Sequence, residues 1–110
     1  MSDLTAKYND ADQLKEAGKH EEAIARLQEL LTEDESFVLA HSALAVLYYK
    51  TGDAEQSIAH AERACELEPT DAFNFTALSV TYQRAFQLTQ NPEYIHKAEE
   101  AMAHAHAMGS

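Results

Sequence analysis

The chain has no tryptophan, one cysteine, two prolines and three glycines in 110 residues. A lone Cys65 excludes an internal disulfide, and no Cys/His spacing typical of a zinc site occurs. Breakers this scarce leave few turns for an all-β fold. Val, Ile and Thr are sparse beside Ala, Glu, Leu and Gln, and the composition therefore predicts an all-α protein. Positive charge is scarce too: 8 Lys and Arg stand against 19 Asp and Glu, a formal charge of −11. That balance repels nucleic-acid phosphate and anionic lipid head groups and favours basic partners. There is no run of 18 apolar residues to span a bilayer. The opening MSDLTAKYND carries neither a basic flank nor an apolar segment, so no secretory signal and a cytoplasmic location are expected. What is present is 45% hydrophobic residues, enough for a core and too many for a disordered acidic tail.

Those apolar residues recur in a repeat. KEAGKHEEAIARLQELL and YYKTGDAEQSIAHAERACEL align with Gly18 on Gly52, a shift of 34 residues, and place Ile24 on Ile58 and Leu27 on Ala61. Each unit reads as a periodic helix, a Gly break, a second helix and an acidic or Pro-bearing turn. Cap signals agree. Asp53 precedes a helix with Gln56 three residues on, Ser36 or Phe37 precedes the next long helix, Asp71 precedes AFNFTALSVTY, and Asn91-Pro92 pairs a cap with a proline at the first helical position. Pro69 blocks continuation of the helix before it. Six helices are predicted, over Asp3 to Ala17, His20 to Thr32, Phe37 to Thr51, Ala54 to Glu68, Ala72 to Thr89 and Pro92 to Ala107.

The pattern resembles the tetratricopeptide repeat (TPR) family, whose unit is a 34-residue helical hairpin. In unit 38–71 the signature positions hold Leu44, Ala45, Tyr48, Gly52, Ser57, Ala61, Ala64 and Pro69. In unit 4–37 they hold Asp10, Ala11, Leu14, Gly18, Ala23, Leu27, Leu30 and Glu35. The third unit, 72–107, opens with Phe75, Leu78, Ser79 and Tyr82 but lacks the Gly. Its Ala98, Met102 and Ala105 fit after an insertion of seven residues, close to two helical turns. The resemblance implies a single domain over residues 1–110, an α-α superhelix of three stacked hairpins. Positions facing the next unit are Ile24, Leu31, Ile58 and Cys65, but then Glu99 and His106; Lys7 and Asp10 stand at the other end. Solvated ends, and hence a free-standing three-unit module, are expected.

In such arrays the first helices line a concave groove. The resemblance places there Thr5, Tyr8, Asp12 and Lys15, then Leu39, Ser42, Val46, Tyr49 and Lys50, then Phe73, Thr76, Val80, Gln83 and Arg84. The expected function is non-catalytic capture of a partner protein's peptide or helix through Tyr8, Asp12, Leu39, Ser42, Val46, Tyr49, Phe73, Thr76, Val80 and Gln83. An apolar anchor with basic flanks suits the acidity of the first two units. Some relatives clamp a chaperone's C-terminal carboxylate with Lys, Asn and Arg; the matching positions here are Tyr8, Asp12, Ala43, Phe73 and Ala77, and Asp12 would repel that carboxylate. Self-assembly through the same strip, or through Ala98, Ala101, Ala103, Ala105 and Ala107 of the last helix, is the alternative.

Other constellations carry less. His96, Glu100 and His104 lie on one helical stripe as possible metal ligands, but residues eight apart are about 12 Å apart along the axis, too far to share one ion. No metal site or cofactor is expected, a metal-responsive protein acting through these C-terminal histidines being the minor alternative. Cys65 falls on an apolar helical position without basic neighbours, a buried small hydrophobe and not a nucleophile. Adjacent acids such as Glu21-Glu22 and Glu99-Glu100 diverge on a helix, so no acid and base pair is indicated. No phosphate-cradling Gly loop or nucleophile elbow is present.

Overall fold

Two glycines set the first two hairpins. In the computed structural model, which describes residues 3–109, Gly18 and Gly52 have φ of +81° and +89°. This is left-handed backbone that a Cβ disfavours. Each closes a Schellman turn: Gly18 N–H donates to Lys15 O and Lys19 N–H to Leu14 O, and the same pair recurs from Gly52 to Tyr49 and from Asp53 to Tyr48. The helices they end are α1 (Asp3–Glu16) and α3 (Val38–Lys50); those that follow are α2 (His20–Glu33) and α4 (Ala54–Leu67). The last hairpin is α5 (Ala72–Thr89) and α6 (Glu93–Gly109). It is longer, 18 and 17 residues against 13 and 14 for α3 and α4. The seven extra residues are thus absorbed as about one turn per helix, which keeps both apolar faces in register. Where the third hairpin lacks glycine, Gln90 takes the left-handed position at φ 64°.

The caps form largely as predicted. Asp53 accepts from Gln56 N–H, Asp71 from Phe73 N–H, and Asn91 from Glu93 N–H. Ser36 does not cap α3; its N–H and hydroxyl both donate to Asp34 Oδ1. Nor does Asp53 form a reciprocal box, because its own N–H is already taken by Tyr48.

Within each hairpin the helices cross on small residues. Ala11 and Ala23 are essentially inaccessible in the first. In the second and third, a buried serine bridges the crossing, Ser57 Oγ donating to Ala45 O at 2.6 Å and Ser79 Oγ to Ala98 O at 2.7 Å. Leu27, Leu30, Leu44 and Leu47 fill the core between the first hairpin and α3. Ile58, Cys65, Leu78 and Tyr82 fill the core between α4 and the last hairpin. α3 contributes to both, which explains why VLAHSALAVLYYK is apolar on almost every side.

The curvature is legible in the backbone. α1 and α3 approach within 8 Å, as do α3 and α5, whereas among the described residues α2 and α4, or α4 and α6, do not. The array therefore bends toward its first helices, which form the inner wall. No helix among the described residues is long and apolar enough to cross a membrane.

Candidate functional site

The inner wall carries the side chains of α1, α3 and α5 that the two cores leave out. On α3 the buried residues Ala40, Ala43, Leu44 and Leu47 face the first hairpin, while Leu39, Ser42, Val46 and Tyr49 follow each other at helical spacing on another side. Phe73, Thr76 and Val80 form the matching row on α5 one repeat later.

Between these rows lies a pocket of about 270 Å³, walled by Ser42 and Val46 from α3 and by Phe73, Thr76 and Val80 from α5. Its floor is made of Ala45, Ala61, Ala64 and Ala77. Methyl groups at the crossings let the helices approach but leave space above them. Phe73, 71% exposed, and Leu39, 57% exposed, stand at the first turns of α5 and α3 as large apolar groups facing water. Burying either against a partner would contribute about 1.5 to 3 kcal/mol.

Arg84 closes the far end of the pocket. Its guanidinium lies over the Tyr49 ring, 5.0 Å from the centroid, and the Tyr49 hydroxyl donates to Gln87 Oε1 at 3.3 Å. Tyr49 thus supports the pocket's one charged residue without lining the pocket.

The structure brings together half of the expected groove residues: Ser42, Val46, Phe73, Thr76 and Val80 line one pocket. The others are placed differently. Tyr8 is half-buried in the first hairpin against Phe37, with ring centroids 5.9 Å apart, and burial followed by the nearby Asp12 raises its phenol pKa. Asp12 pairs with Lys15 at 3.6 Å. Gln83 turns to a different cleft, between α5 and α6, where Phe86, Ile95 and Met102 are also found. The outer side of the last hairpin is consequently less polar than exposed Glu99 and His106 alone predict. Sequence reading missed the pocket floor. The available signal was that Ala61 and Ala64 occupy small-residue positions of the repeat, where volume is left open beside a neighbouring hairpin.

A second cluster went unread. His41 is 3% exposed; its Nε2 donates to Glu35 O at 2.7 Å, and its Nδ1 faces Nδ1 of His60 at 2.9 Å. The His60 ring stacks on Tyr48 at an interplanar angle of 9°, and Tyr48 hydroxyl accepts from Gln28 Nε2 on α2 at 2.7 Å. Arg63 grips the Glu35 carboxylate through Nε at 2.6 Å and Nη2 at 2.7 Å. Burial, then the neighbouring His41, lowers the His60 pKa against a smaller opposing effect of Glu35. The cluster ties the link between the first two hairpins to both helices of the second.

His96, Glu100 and His104 are all exposed, and the His104 ring lies 4.2 Å from that of Phe75. Among the described residues, no three His, Cys, Asp or Glu side chains are placed to share a metal ion. Cys65 is buried and its thiol donates to Asn74 O at 3.3 Å. Burial, with Glu62, Glu66 and Asp71 adding to it, pushes its pKa up to about 11, the reverse of an activated thiol.

Two sequence profiles match the chain, one described as TPR repeat over residues 11–52 and one as tetratricopeptide repeat over residues 38–71. The chain belongs to the tetratricopeptide repeat family. The stretched third hairpin lies beyond both matches and joins this TPR array through its fold. No curated protein matches the TPR chain in sequence. Among solved structures it is similar to the second TPR of Spaghetti (RPAP3) bound to an HSP90 peptide, SRMEEVD. The TM-score is 0.77 at 15% identity, over 96% of this chain and 91% of that one. It is also similar to the type III secretion translocator chaperone SycD of Yersinia enterocolitica, in an alternative dimer. There the TM-score is 0.64 at 18% identity, over 99% and 94% of the two chains. Identities this low establish a shared fold.

Proposed function

We propose that this TPR chain is a non-catalytic interaction module, needing no cofactor, that holds a segment of another protein against its inner wall. The observation that carries this reading is the pocket between the second and third hairpins, mostly apolar in its lining and opening beside exposed Phe73. An apolar side chain of the partner would fill it. Leu39 would extend the contact along α3, and Tyr8, Asp12, Tyr49 and Gln83 would border it. The acidic first hairpin would draw basic residues of the same segment. The Spaghetti TPR domain holds an HSP90 peptide. In this chain the positions of the family's carboxylate clamp hold Tyr8, Asp12, Ala43, Phe73 and Ala77, none of them cationic, so a chaperone's C-terminal carboxylate is not the partner group.

The test is capture of partners from the native lysate by the wild type and by Phe73→Glu combined with Tyr49→Ala. The double variant should keep its helicity and lose the captured proteins; undiminished capture would remove the inner wall from the account. Self-assembly is the second reading, favoured by the exposure of Leu88 and Ile95 on the third hairpin. Three of the alanines offered for it, Ala98, Ala101 and Ala105, are buried within the chain's own fold. Sedimentation that finds a monomer at high concentration would dismiss it.

A further inference from the structure

We propose that the segment held in the inner-wall pocket carries a side-chain carboxylate next to its apolar anchor, and that Arg84 receives it and thereby sets the direction in which the segment lies. This rests on the pocket being the partner site.

Arg84 is half-buried and lines the pocket beside Val80. Its place over the Tyr49 ring holds the guanidinium at the pocket but uses none of its five N–H donors. Lys7, Lys15 and Arg63 are spent on neighbouring carboxylates, Glu33, Asp12, and Glu35 with Glu66. Lys19, Arg26, Lys50 and Lys97 are not, but none of them lines the pocket, where Arg84 is the one cation. Among the described residues, no ion pair takes up Arg84, although the chain holds 19 acids. A planar fork held ready by a ring and by the pocket wall loses little freedom on meeting a carboxylate, the partner its geometry fits. One cation among the lining residues matches one carboxylate.

The charge along the array points the same way. Residues 1–37 carry ten acids and four bases, residues 38–71 six and two, and residues 72–110 three and two, giving −6, −4 and −1. A segment laid across the first helices therefore runs from a strongly acidic hairpin at one end to a nearly neutral one holding Arg84 at the other. Basic residues belong over the first hairpin and the carboxylate over the third. The reverse direction would set a carboxylate among the acids of the first hairpin and a cation against Arg84.

The test is selection from random heptapeptides displayed through their C-termini, so that only side-chain carboxylates are offered. Wild type should enrich a bulky apolar residue with Asp or Glu close beside it. Arg84→Glu should enrich Lys or Arg in that place, and Arg84→Gln neither. A synthetic wild-type-selected peptide, amidated at its C-terminus, should bind Arg84→Gln about tenfold more weakly than wild type. Exchanging its Asp or Glu for the amide should cost the same on wild type and nothing on Arg84→Gln. Equal enrichment of one charge by wild type and Arg84→Glu would overturn the proposal, as would an amidated selected peptide that binds wild type and Arg84→Gln equally well. Selection unaltered by Phe73→Glu would instead remove the pocket itself.

Discussion

His41 and His60 face each other through their Nδ1 atoms at 2.9 Å. Because His41 Nε2 must donate to the Glu35 carbonyl, a neutral His41 can only accept at Nδ1, and His60 Nδ1–H supplies the proton. A proton on both Nδ1 atoms would make His41 cationic and set two donors against each other. Arg63, Glu35, Tyr48 and Gln28 enclose the pair from the hairpin link, α2, α3 and α4.

The first prediction concerns pH. The His60 pKa lies below its ordinary 6.5, chiefly through burial. The unfolded chain therefore binds more protons than the folded one just below that pH. This contribution is fully present above about pH 6.5 and is lost as pH falls through the lowered folded value. The unfolding midpoint should drop as pH is lowered from 7.5 to 5.5, and His60→Asn, which keeps a donor near Nδ1, should flatten the drop. Glu35, held low first by its bond from Arg63, acts only below about pH 4.5, so the two windows separate. An unfolding midpoint with no slope between pH 7.5 and 5.5 would contradict the assignment.

Gln90 gives the second prediction. It does at φ 64° what Gly18 and Gly52 do in the first two hairpins. A non-glycine residue there costs on the order of 1 kcal/mol. Gln90→Gly should raise stability in urea by about 0.5 to 1 kcal/mol, and Gly52→Ala should lower it by about 1 kcal/mol. Nothing lies within 4 Å of a Cβ built on Gly52, so the loss there is backbone strain alone.

Helix number, hairpin order and most caps could be read from the sequence, because each rests on local chemistry: a glycine at a left-handed turn, an aspartate before a helix, apolar residues at helical spacing. The inner wall was legible as a set of positions. Which of them share a pocket was not, since that depends on how far α5 stands from α3 and on alanines at 45, 61, 64 and 77 that leave room instead of filling it. Tyr8 shows the same limit: its position points inward, yet Phe37 from the hairpin link claims one side of its ring. The histidine pair lies 19 residues apart on facing helices, a separation with no local signature.

Cys65 supplies the third prediction. Its burial and its pKa of about 11 leave it with little thiolate near neutrality. Labelling by a disulfide reagent at pH 8 should be about a hundredfold slower in the folded protein than in denaturant. Rapid labelling of the native chain would show that the core around Asn74 and Leu78 opens readily.

The last prediction separates binding from folding within the pocket. Ala77 lies on its floor and is only half-buried, so a larger side chain there grows into space that the fold leaves empty. Overpacking penalties of about 1 to 3 kcal/mol belong to filled cores. Ala77→Leu should instead change stability by no more than about 0.5 kcal/mol and abolish enrichment of peptides with an apolar anchor. Leu44→Ala gives the opposite pairing. Leu44 is fully buried between the first hairpin and α3, so its truncation should cost about 2 to 5 kcal/mol. Whatever remains folded should bind as before, since Leu44 does not reach the pocket. Thermal melts and peptide affinities on both variants decide it: if Ala77→Leu keeps its affinity, the empty volume is not where the anchor goes.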